Sequence, residues 1–275
     1  VIKLTKIFIK SKYDFVYILD KVNKPAIAAK LAGIKNIIGP GIGKQKKWLT
    51  CKNFLTDEDQ KDTYSNQSQK FLKINSIKLN NLYPEIEIDT SAFKEENLDL
   101  IAKGKKIAFG IDSFEDYKMW HEENFVELAN LLYEKKLFDF IYLICGPEKS
   151  YIADKIINLS KKDFFINCSK KDLAGVILAL KNSDFFVGNN SGPLNLAAAL
   201  NIKSFGLVAN DPINELKYSK IKILRPSDLD DNFRLRDREG MKKLTPKNVF
   251  LEIVDQIKSW FSKLVKPLEG GALFL

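Results

Sequence analysis

The sequence predicts an α/β fold built on parallel sheets. From Lys106 onward, short apolar runs alternate with stretches whose apolar residues recur at helical spacing. Most apolar runs end in a small polar or glycine-containing turn, and a helix then returns the chain for another parallel strand. Residues 185–200 show the pattern most clearly, since an apolar strand precedes a polar turn and an Ala/Leu-rich helix.

The chain before Lys106 predicts a smaller α/β region with its own strands. Residues 39–43 are rich in glycine but lack the spacing of a dinucleotide-binding loop, so they are interpreted as a turn. Residues 74–104 are polar and irregular, which is typical of an extended connection between domains. The predicted elements are a strand at Phe15–Leu19, a helix at Lys24–Ala32, a strand at Asn36–Ile38 and a helix over residues 56–73.

The region after Lys106 predicts six strands and five helices. One helix is expected to open at Pro193, because proline suits the first helical position. The last helix carries an apolar stripe among lysines, so it either packs on the domain or lies on a membrane surface. The strands are Ile107–Ile111, Phe140–Cys145, Phe164–Asn167, Asp184–Val187, Ser204–Val208 and Ile221–Leu224, and the other helices are Glu122–Tyr133, Tyr151–Leu159, Asp172–Leu180 and Lys247–Val265.

The composition restricts the classes of function. The net charge is +9, but only four of the 44 basic residues are arginine, the usual reader of bases and phosphates, so no nucleic-acid partner is expected. Three widely spaced cysteines form neither a metal motif nor a disulfide framework. The chain begins at Val1 without a signal-peptide pattern, which indicates a cytoplasmic protein or a missing natural start. A single histidine, His121, excludes mechanisms that need two.

The turn at residues 188–192 is a candidate anion site. Unpaired N–H groups and the helix dipole attract an anion such as phosphate to the start of a helix. Asn190, Ser191 and Asn195 can add side-chain hydrogen bonds there. The same residues also fit an ordinary strand, turn and capped helix, and the pattern alone leaves both interpretations open.

A second polar turn, Gly110–Ser113, follows an earlier strand. Ligands of parallel α/β sheets bind at the carboxyl ends of strands, so this turn and residues 188–192 are expected to face one crevice. Lys118 then supplies a point charge against a diphosphate. Because the chain contains about forty lysines, a solvated surface lysine is the simpler interpretation. Trp120 is interpreted as a core anchor.

The two motifs together resemble those of the ADP-heptose:lipopolysaccharide heptosyltransferases, glycosyltransferase family 9. The first reads Gly-x-x-Ser and then Lys-x-Trp-x-x-Glu-x-Phe, and the second contains Gly-Asn-x-Ser-Gly-Pro followed by Leu-Ala-Ala-Ala-Leu. Residues 13–20 and 28–33 are also similar to the N-terminal domain of that family. The resemblance covers most of residues 10–260.

The resemblance implies a GT-B architecture, in which two Rossmann-like domains with parallel sheets face a central cleft. It implies an acceptor-side domain with its connection over 1–95, incomplete at its N-terminus, and a nucleotide-sugar domain over 96–246. A helix at 247–266 is expected to pack back on the body, and residues 267–275 form a tail. The family inverts the anomeric centre in one displacement and needs neither a metal nor a cofactor, because protein charges stabilise the departing diphosphate.

The resemblance also assigns candidate roles residue by residue. Lys118 matches the diphosphate-binding lysine of the family, and Ser113, after Gly110, matches a hydroxyl that contacts phosphate. Glu148 corresponds loosely to an acidic residue that holds the ribose. The remaining donor-site positions lie at the start of the Ala/Leu-rich helix and are Asn190, Ser191, Gly192 and Asn195.

Three departures from the family pattern bear on activity. Asn190 stands where the family has Asp, and Asn195 stands where it has His, so two titratable groups are replaced by amides. The first strand, glycine-rich loop and catalytic Asp of the family have no counterpart in the sequence. Asp20, at a strand end, is interpreted as an acceptor-side or structural carboxylate, and the general base stays unassigned.

The sequence therefore predicts a glycosyltransferase that moves heptose or a related sugar from a nucleotide-sugar donor to a lipopolysaccharide-type acceptor. The replaced and missing residues leave open an alternative, a sugar-nucleotide or glycan-binding relative without catalysis. A basic peripheral-membrane module is a third interpretation. The expected location is cytoplasmic, and association with the periphery of the inner membrane is compatible with the enzyme.

Overall fold

The computed structural model describes residues 1–78, 83–88, 100, 103–213, 216, 220–231 and 234–264. The chain divides into two compact units, Val1–Leu82 and Tyr83–Leu275. The domain boundary predicted at 95/96 falls among residues that are not described, and it stays a prediction, as does the cleft. Residues 83–88, within the predicted connection, adopt no helix or strand.

The N-terminal unit contains a small parallel sheet. Its two described strands pair in register, with Val16 opposite Ile37. Ile18, Ala26 and Ile37 are buried in the core of this unit, which forms between the sheet and the helix that joins its strands. The elements are α1 (Ile2–Ser11), β1 (Phe15–Tyr17), α2 (Asn23–Leu31), β2 (Asn36–Ile38) and α3 (Tyr64–Ile74).

Two elements of this unit differ from the sequence prediction. Helix α1 was not predicted, and none of its residues is buried. Helix α3 begins later than position 56, because Thr63 caps it by accepting a hydrogen bond from the Asn66 N–H, while Asp59–Lys61 form a separate 3-10 turn.

The C-terminal unit is a six-stranded parallel sheet with an α-helix in each of the first four connections between its strands, which confirms the predicted α/β class. The strand order is β5-β4-β3-β6-β7-β8, the arrangement of a doubly wound Rossmann sheet. The elements are β3 (Lys106–Gly110), α4 (Glu122–Glu134), β4 (Phe140–Ile144), α5 (Ser150–Ser160), β5 (Phe165–Asn167), α6 (Leu173–Lys181), β6 (Phe185–Asn189), α7 (Gly192–Ala199), β7 (Ser204–Leu207), β8 (Ile221–Leu224), α8 (Glu239–Lys242) and α9 (Pro246–Leu264).

Strands β3 and β6 lie side by side at the point where the strand order reverses. A crevice opens at the carboxyl ends of such a strand pair, because the two following loops diverge. Gly110 pairs with Gly188 there. A Cβ atom on Gly188 would lie 2.7 Å from the Gly110 carbonyl oxygen, so the close approach of the two strand ends requires glycine.

Both faces of this sheet are covered. On one face, α4 and α9 pack on the strands, and Val249, Ile253 and Ile257 of α9 are buried in that core. The other face packs α6 and α7 against Tyr142 and Phe186. Side chains of α9 beyond residue 257 are not described. Among the described helices, none combines the length and apolar composition that a bilayer crossing requires.

Candidate functional site

The loops that follow β3 and β6 are tied together at the centre of the sheet edge. The Ser113 hydroxyl donates to the Asn190 carbonyl oxygen at 3.3 Å. The backbone N–H of Trp120 donates to Oδ1 of Asn189 at 2.9 Å, and Asn189 is fully buried. The two motifs predicted to face one crevice are therefore in contact.

Lys118 lies at the end of a 3-10 turn, Asp116–Lys118, in the loop after β3. Its ammonium group contacts Glu115 Oε2 at 2.5 Å and Asp211 Oδ2 at 2.9 Å, and its side chain is 19% exposed. Burial lowers the pKa of Lys118, but hydrogen bonds with the two carboxylates outweigh that effect and the net pKa is raised. The Lys118 ammonium group is thus fixed by two ion pairs, and Lys118 is not a freely solvated surface lysine.

Asp211 joins this lysine to the turn before α7. The Asn190 side-chain amide donates to Asp211 Oδ2 at 3.0 Å, and the same oxygen accepts from Lys118. An ammonium group and an amide from two different loops therefore converge on one carboxylate. A negatively charged oxygen is already bound at the position where the sequence predicted an anionic ligand.

The first turn of α7 differs in detail from the prediction. Ser191 is the N-cap and Gly192 the first helical residue, so Pro193 occupies the second position and does not open the helix. Proline is accommodated there because the N–H groups of the whole first turn lack intrahelical acceptors. Gly192 carries no side chain, and a Cβ atom there would meet open space.

Hydrogen-bonding capacity remains unused at this turn. Ser191 Oγ and Asn189 Nδ2 are buried and have no hydrogen-bond partner among the described residues, whereas buried polar atoms ordinarily have one. Asn195 is exposed, and its amide donates to the Ser191 carbonyl oxygen at 3.2 Å. The amides of Asn190 and Asn195 are thus held by the protein's own acceptors, while Ser191 and Asn189 retain free capacity.

Of the other predicted site residues, Gly110 lies at the end of β3 beside this centre, Glu148 lies in the loop after β4, and Asp20 lies in the other unit. Gly110 is buried, and a Cβ atom on it would lie 2.4 Å from the Phe186 ring, so its role in the fold is close packing. Glu148 is exposed in the loop after β4, with its carboxylate folded against Gly146. Asp20 is exposed in the N-terminal unit, where its carbonyl oxygen accepts from Gln45 at 2.8 Å.

Four charged residues of the site were missed from the sequence. Lys149 donates to the Ser113 carbonyl oxygen at 2.6 Å and contacts Asp116 at 3.1 Å, so it braces the loop after β3. The others are Glu115, Asp211 and Arg236. Asp211 had a usable signal, because it lies in the segment after β7 at the same carboxyl edge of the sheet. Arg236 lies far along the chain and offered none.

Asp112 is a partly buried carboxyl group beside the site. Its Oδ2 accepts from the Gly146 N–H at 2.8 Å, which fixes the loop after β4 to the loop after β3. Burial raises the pKa of Asp112 above its ordinary value, more than the hydrogen bond from Gly146 and the charge of Lys149 lower it.

Replacing Asp112 with Asn is expected to flatten part of the pH dependence of stability. An acid whose pKa is raised by folding binds more protons in the folded state, so its contribution to the free energy of unfolding falls as pH rises from the ordinary carboxyl pKa through the raised one. Urea denaturation of both proteins, at steps of about half a pH unit between about pH 3.5 and 7, measures the difference in their free energies of unfolding. A wild-type advantage that grows with pH would contradict the assignment.

One group of potential metal ligands occurs among the described residues. Ligand atoms of His121, Glu122 and Glu123 lie within 4.8 Å of one another. Lys155 already contacts both carboxylates, at 3.1 Å for Glu122 and 3.0 Å for Glu123. This group is therefore explained as an ion-pair cluster at the start of α4.

Comparison with known proteins places the chain among sugar transferases. The model of glycosyltransferase family 9 (heptosyltransferase) matches residues 1–222. A curated relative, lipopolysaccharide heptosyltransferase 1 of Campylobacter coli, is 26% identical over 221 residues, which are 74% of this chain and 63% of the relative. The chain thus spans less than two thirds of that relative's length.

Two solved structures share the fold. ADP-heptose lipopolysaccharide heptosyltransferase II of E. coli superposes with a TM-score of 0.76 at 17% identity, covering 94% of this chain and 81% of that one. E. coli heptosyltransferase WaaC with ADP-2-deoxy-2-fluoro heptose superposes with a TM-score of 0.64 at 18% identity, covering 92% and 76%. At these identities the likeness concerns the fold.

Proposed function

Because the chain belongs to glycosyltransferase family 9, we propose that it acts in lipopolysaccharide core synthesis. It transfers heptose or a related sugar from an ADP-heptose-type donor to a lipopolysaccharide-type acceptor, with inversion and without a metal. The curated relative and both solved structures carry names of heptosyltransferases, and one of them was solved with an ADP-heptose analogue.

The convergence of Lys118 and Asn190 on one carboxylate oxygen is the observation that carries the proposal. These two groups come from the loops on either side of the switch point, where ligands of doubly wound sheets bind. The start of α7 lies beside them and adds backbone N–H groups and a positive dipole end. The arrangement suits a diphosphate, whose charge grows as the glycosidic bond to it breaks.

Each donor-site residue then has a distinct task. The ammonium group of Lys118 neutralises charge that develops on the departing diphosphate, and Ser191 Oγ supplies a hydrogen bond from buried surroundings. Ser113 keeps the two loops in register through the Asn190 carbonyl. Glu148, exposed after β4, accepts from the ribose hydroxyls, and Asn195 faces the sugar from the outer side of α7.

The charge distribution supports an anionic acceptor. Residues 1–82 carry sixteen lysines and six acidic residues, so the N-terminal unit accounts for the whole positive charge of the chain. Phosphorylated glycolipids and the anionic membrane that holds them both attract such a surface. The proposal therefore assigns acceptor binding to this unit, with Asp20 as an acceptor-side carboxylate, and it includes peripheral contact with the inner membrane.

A second candidate function is donor binding without transfer. Asn190 and Asn195 replace two titratable groups of the family pattern, which favours this candidate. Such a protein retains the diphosphate contacts of Lys118 and α7 but does not deprotonate an acceptor hydroxyl.

Calorimetric titration with ADP, followed by a transfer assay, separates these functions. Binding of ADP together with transfer from ADP-heptose to a heptose-free core acceptor supports the enzyme. Binding without transfer supports the second candidate. A folded protein that binds no ADP at millimolar concentration would remove the donor site and both functions with it.

A further inference from the structure

Glu115 occupies the position on Lys118 that an anionic ligand needs. Its Oε2 lies 2.5 Å from the Lys118 ammonium, and its other oxygen, Oε1, lies 3.6 Å from Nη1 of Arg236. The carboxylate therefore already contacts two cations. One of them lies at the proposed diphosphate position and the other lies outside it.

Arg236 is held in a defined place although its side chain is 71% exposed. Its guanidinium lies 4.9 Å from the centre of the Tyr117 ring and donates to the Tyr117 hydroxyl. Lys118 lies 5.6 Å from the same ring centre. The backbone around Arg236 is fixed too, because Asn210 donates to the carbonyl oxygens of both Tyr117 and Asp237.

We propose that Glu115 and Arg236 form a carboxylate-exchange pair at the diphosphate site. When a diphosphate binds Lys118, Glu115 leaves the ammonium group and pairs with Arg236, which it already approaches through its second oxygen. Glu115 thus competes with the ligand, and Arg236 lowers the cost of displacing it. Both are positioning residues, and the inference rests on the proposed diphosphate site.

The geometry favours exchange at Glu115 over exchange at Asp211. Asp211 Oδ2 is held by two donors, Lys118 and Asn190, and the segment containing Asp211 is clamped by Arg225, which donates to the Asp211 carbonyl oxygen at 2.8 Å. Glu115 is 37% exposed and lies in the loop beside the fully exposed Phe114. It has both the freedom to move and a second cation to receive it.

A double-mutant cycle tests the exchange, with inorganic diphosphate as the ligand in calorimetric titrations. Glu115→Gln is expected to bind diphosphate about threefold to tenfold more tightly than the wild type, because a competing carboxylate is gone. Arg236→Gln is expected to weaken binding in the wild-type background and to have no effect in the Glu115→Gln background. Glu115→Ala serves as a second variant with the same expectation as Glu115→Gln.

Matched controls separate exchange from general charge effects. Glu123→Gln removes a carboxylate that pairs with Lys155, and Arg234→Gln removes an exposed arginine two positions before Arg236. Both controls are expected to change diphosphate affinity less than the corresponding test variant and to show no coupling with Glu115→Gln.

Three outcomes overturn the exchange. Equal or weaker diphosphate binding by both Glu115 variants shows that Glu115 does not compete. An equal loss from Arg236→Gln in both backgrounds shows that Arg236 acts on the ligand directly or through bulk charge. The exchange is also refuted if neither the wild type nor any variant binds diphosphate. The proposed function has a separate test. It is refuted if the protein neither binds ADP nor transfers sugar while the double-mutant cycle with diphosphate gives the expected result.

Discussion

Replacing Lys118 with methionine is expected to weaken ADP binding by about 10-fold to 100-fold. Methionine keeps the length of the side chain but cannot donate to a phosphate oxygen. The change also leaves the carboxylates of Glu115 and Asp211 without their shared cation, so they repel a diphosphate that approaches the turn before α7. Calorimetric titration at constant ionic strength measures the loss, since phosphate affinities fall with salt.

Lys155→Met is the matched control for this variant. Lys155 also bridges two carboxylates, Glu122 and Glu123, but it lies on α5, outside the proposed diphosphate site. Its replacement removes the same charge and the same kind of ion pair. Because exposed ion pairs are weak and Lys155 lies outside the proposed site, ADP affinity is expected to change less than twofold. Equal losses from both variants would attribute the effect of Lys118 to net charge.

Replacing Trp120 with alanine is expected to lower the free energy of unfolding by about 3–5 kcal/mol. The indole is completely buried, packs edge-on against Phe125 with ring centres 5.0 Å apart, and donates from Nε1 to the Leu244 carbonyl oxygen at 2.7 Å. Alanine leaves a cavity between the loop after β3 and the segment before α9, together with an unpaired buried carbonyl. Urea denaturation followed by circular dichroism measures the change.

Phe114→Ala provides the comparison for Trp120→Ala. Phe114 lies in the same loop and is also aromatic, but it is 98% exposed. Its removal is expected to change the free energy of unfolding by no more than about 0.5 kcal/mol. A small effect of Trp120→Ala, similar to that of Phe114→Ala, would show that this loop is not anchored by the indole.

Trp120 also connects stability with the site. Its backbone N–H holds Asn189 Oδ1 at the end of β6, only one residue before Asn190. Trp120→Phe keeps the backbone bond and most of the buried ring, so a smaller loss of stability with little change in ADP affinity is the expected result. The sequence identified Trp120 as a core anchor but gave no sign of this link.

Most of the C-terminal sheet was predictable because its signals are local. Apolar runs such as 140–144 and 185–189 are bounded by turn residues, and helices of clear 3.6-residue period separate them. The α/β class, the parallel strands and the meeting of the Gly110–Ser113 turn with residues 188–192 follow from that alternation and are confirmed. The ends of helices were predicted less accurately where a capping residue sets them, as Thr63 does at the start of α3.

The partners of the site charges could not be predicted from local pattern. Asp211, 93 residues after Lys118 in the chain, lies beside it because strand β7 returns next to β6. Arg236 reaches Glu115 through a loop with no regular period. Glu115, three residues before Lys118, is within local reach of it, but in a sequence with 35 acidic residues nothing local selects Asp211 as the second partner.

The sequence by itself determined the family, the alternation of strands and helices, and the presence of a lysine and a polar helix start at the carboxyl edge of one sheet. Each of these depends on residues close together in the chain or on a motif that they form. The tertiary structure alone decided that Asp211 contacts Lys118 beside its near neighbour Glu115, and that Asn190 shares the Asp211 carboxylate. The physical reason is that Coulomb attraction and hydrogen bonding depend on distances in space, which only the packing of distant segments establishes.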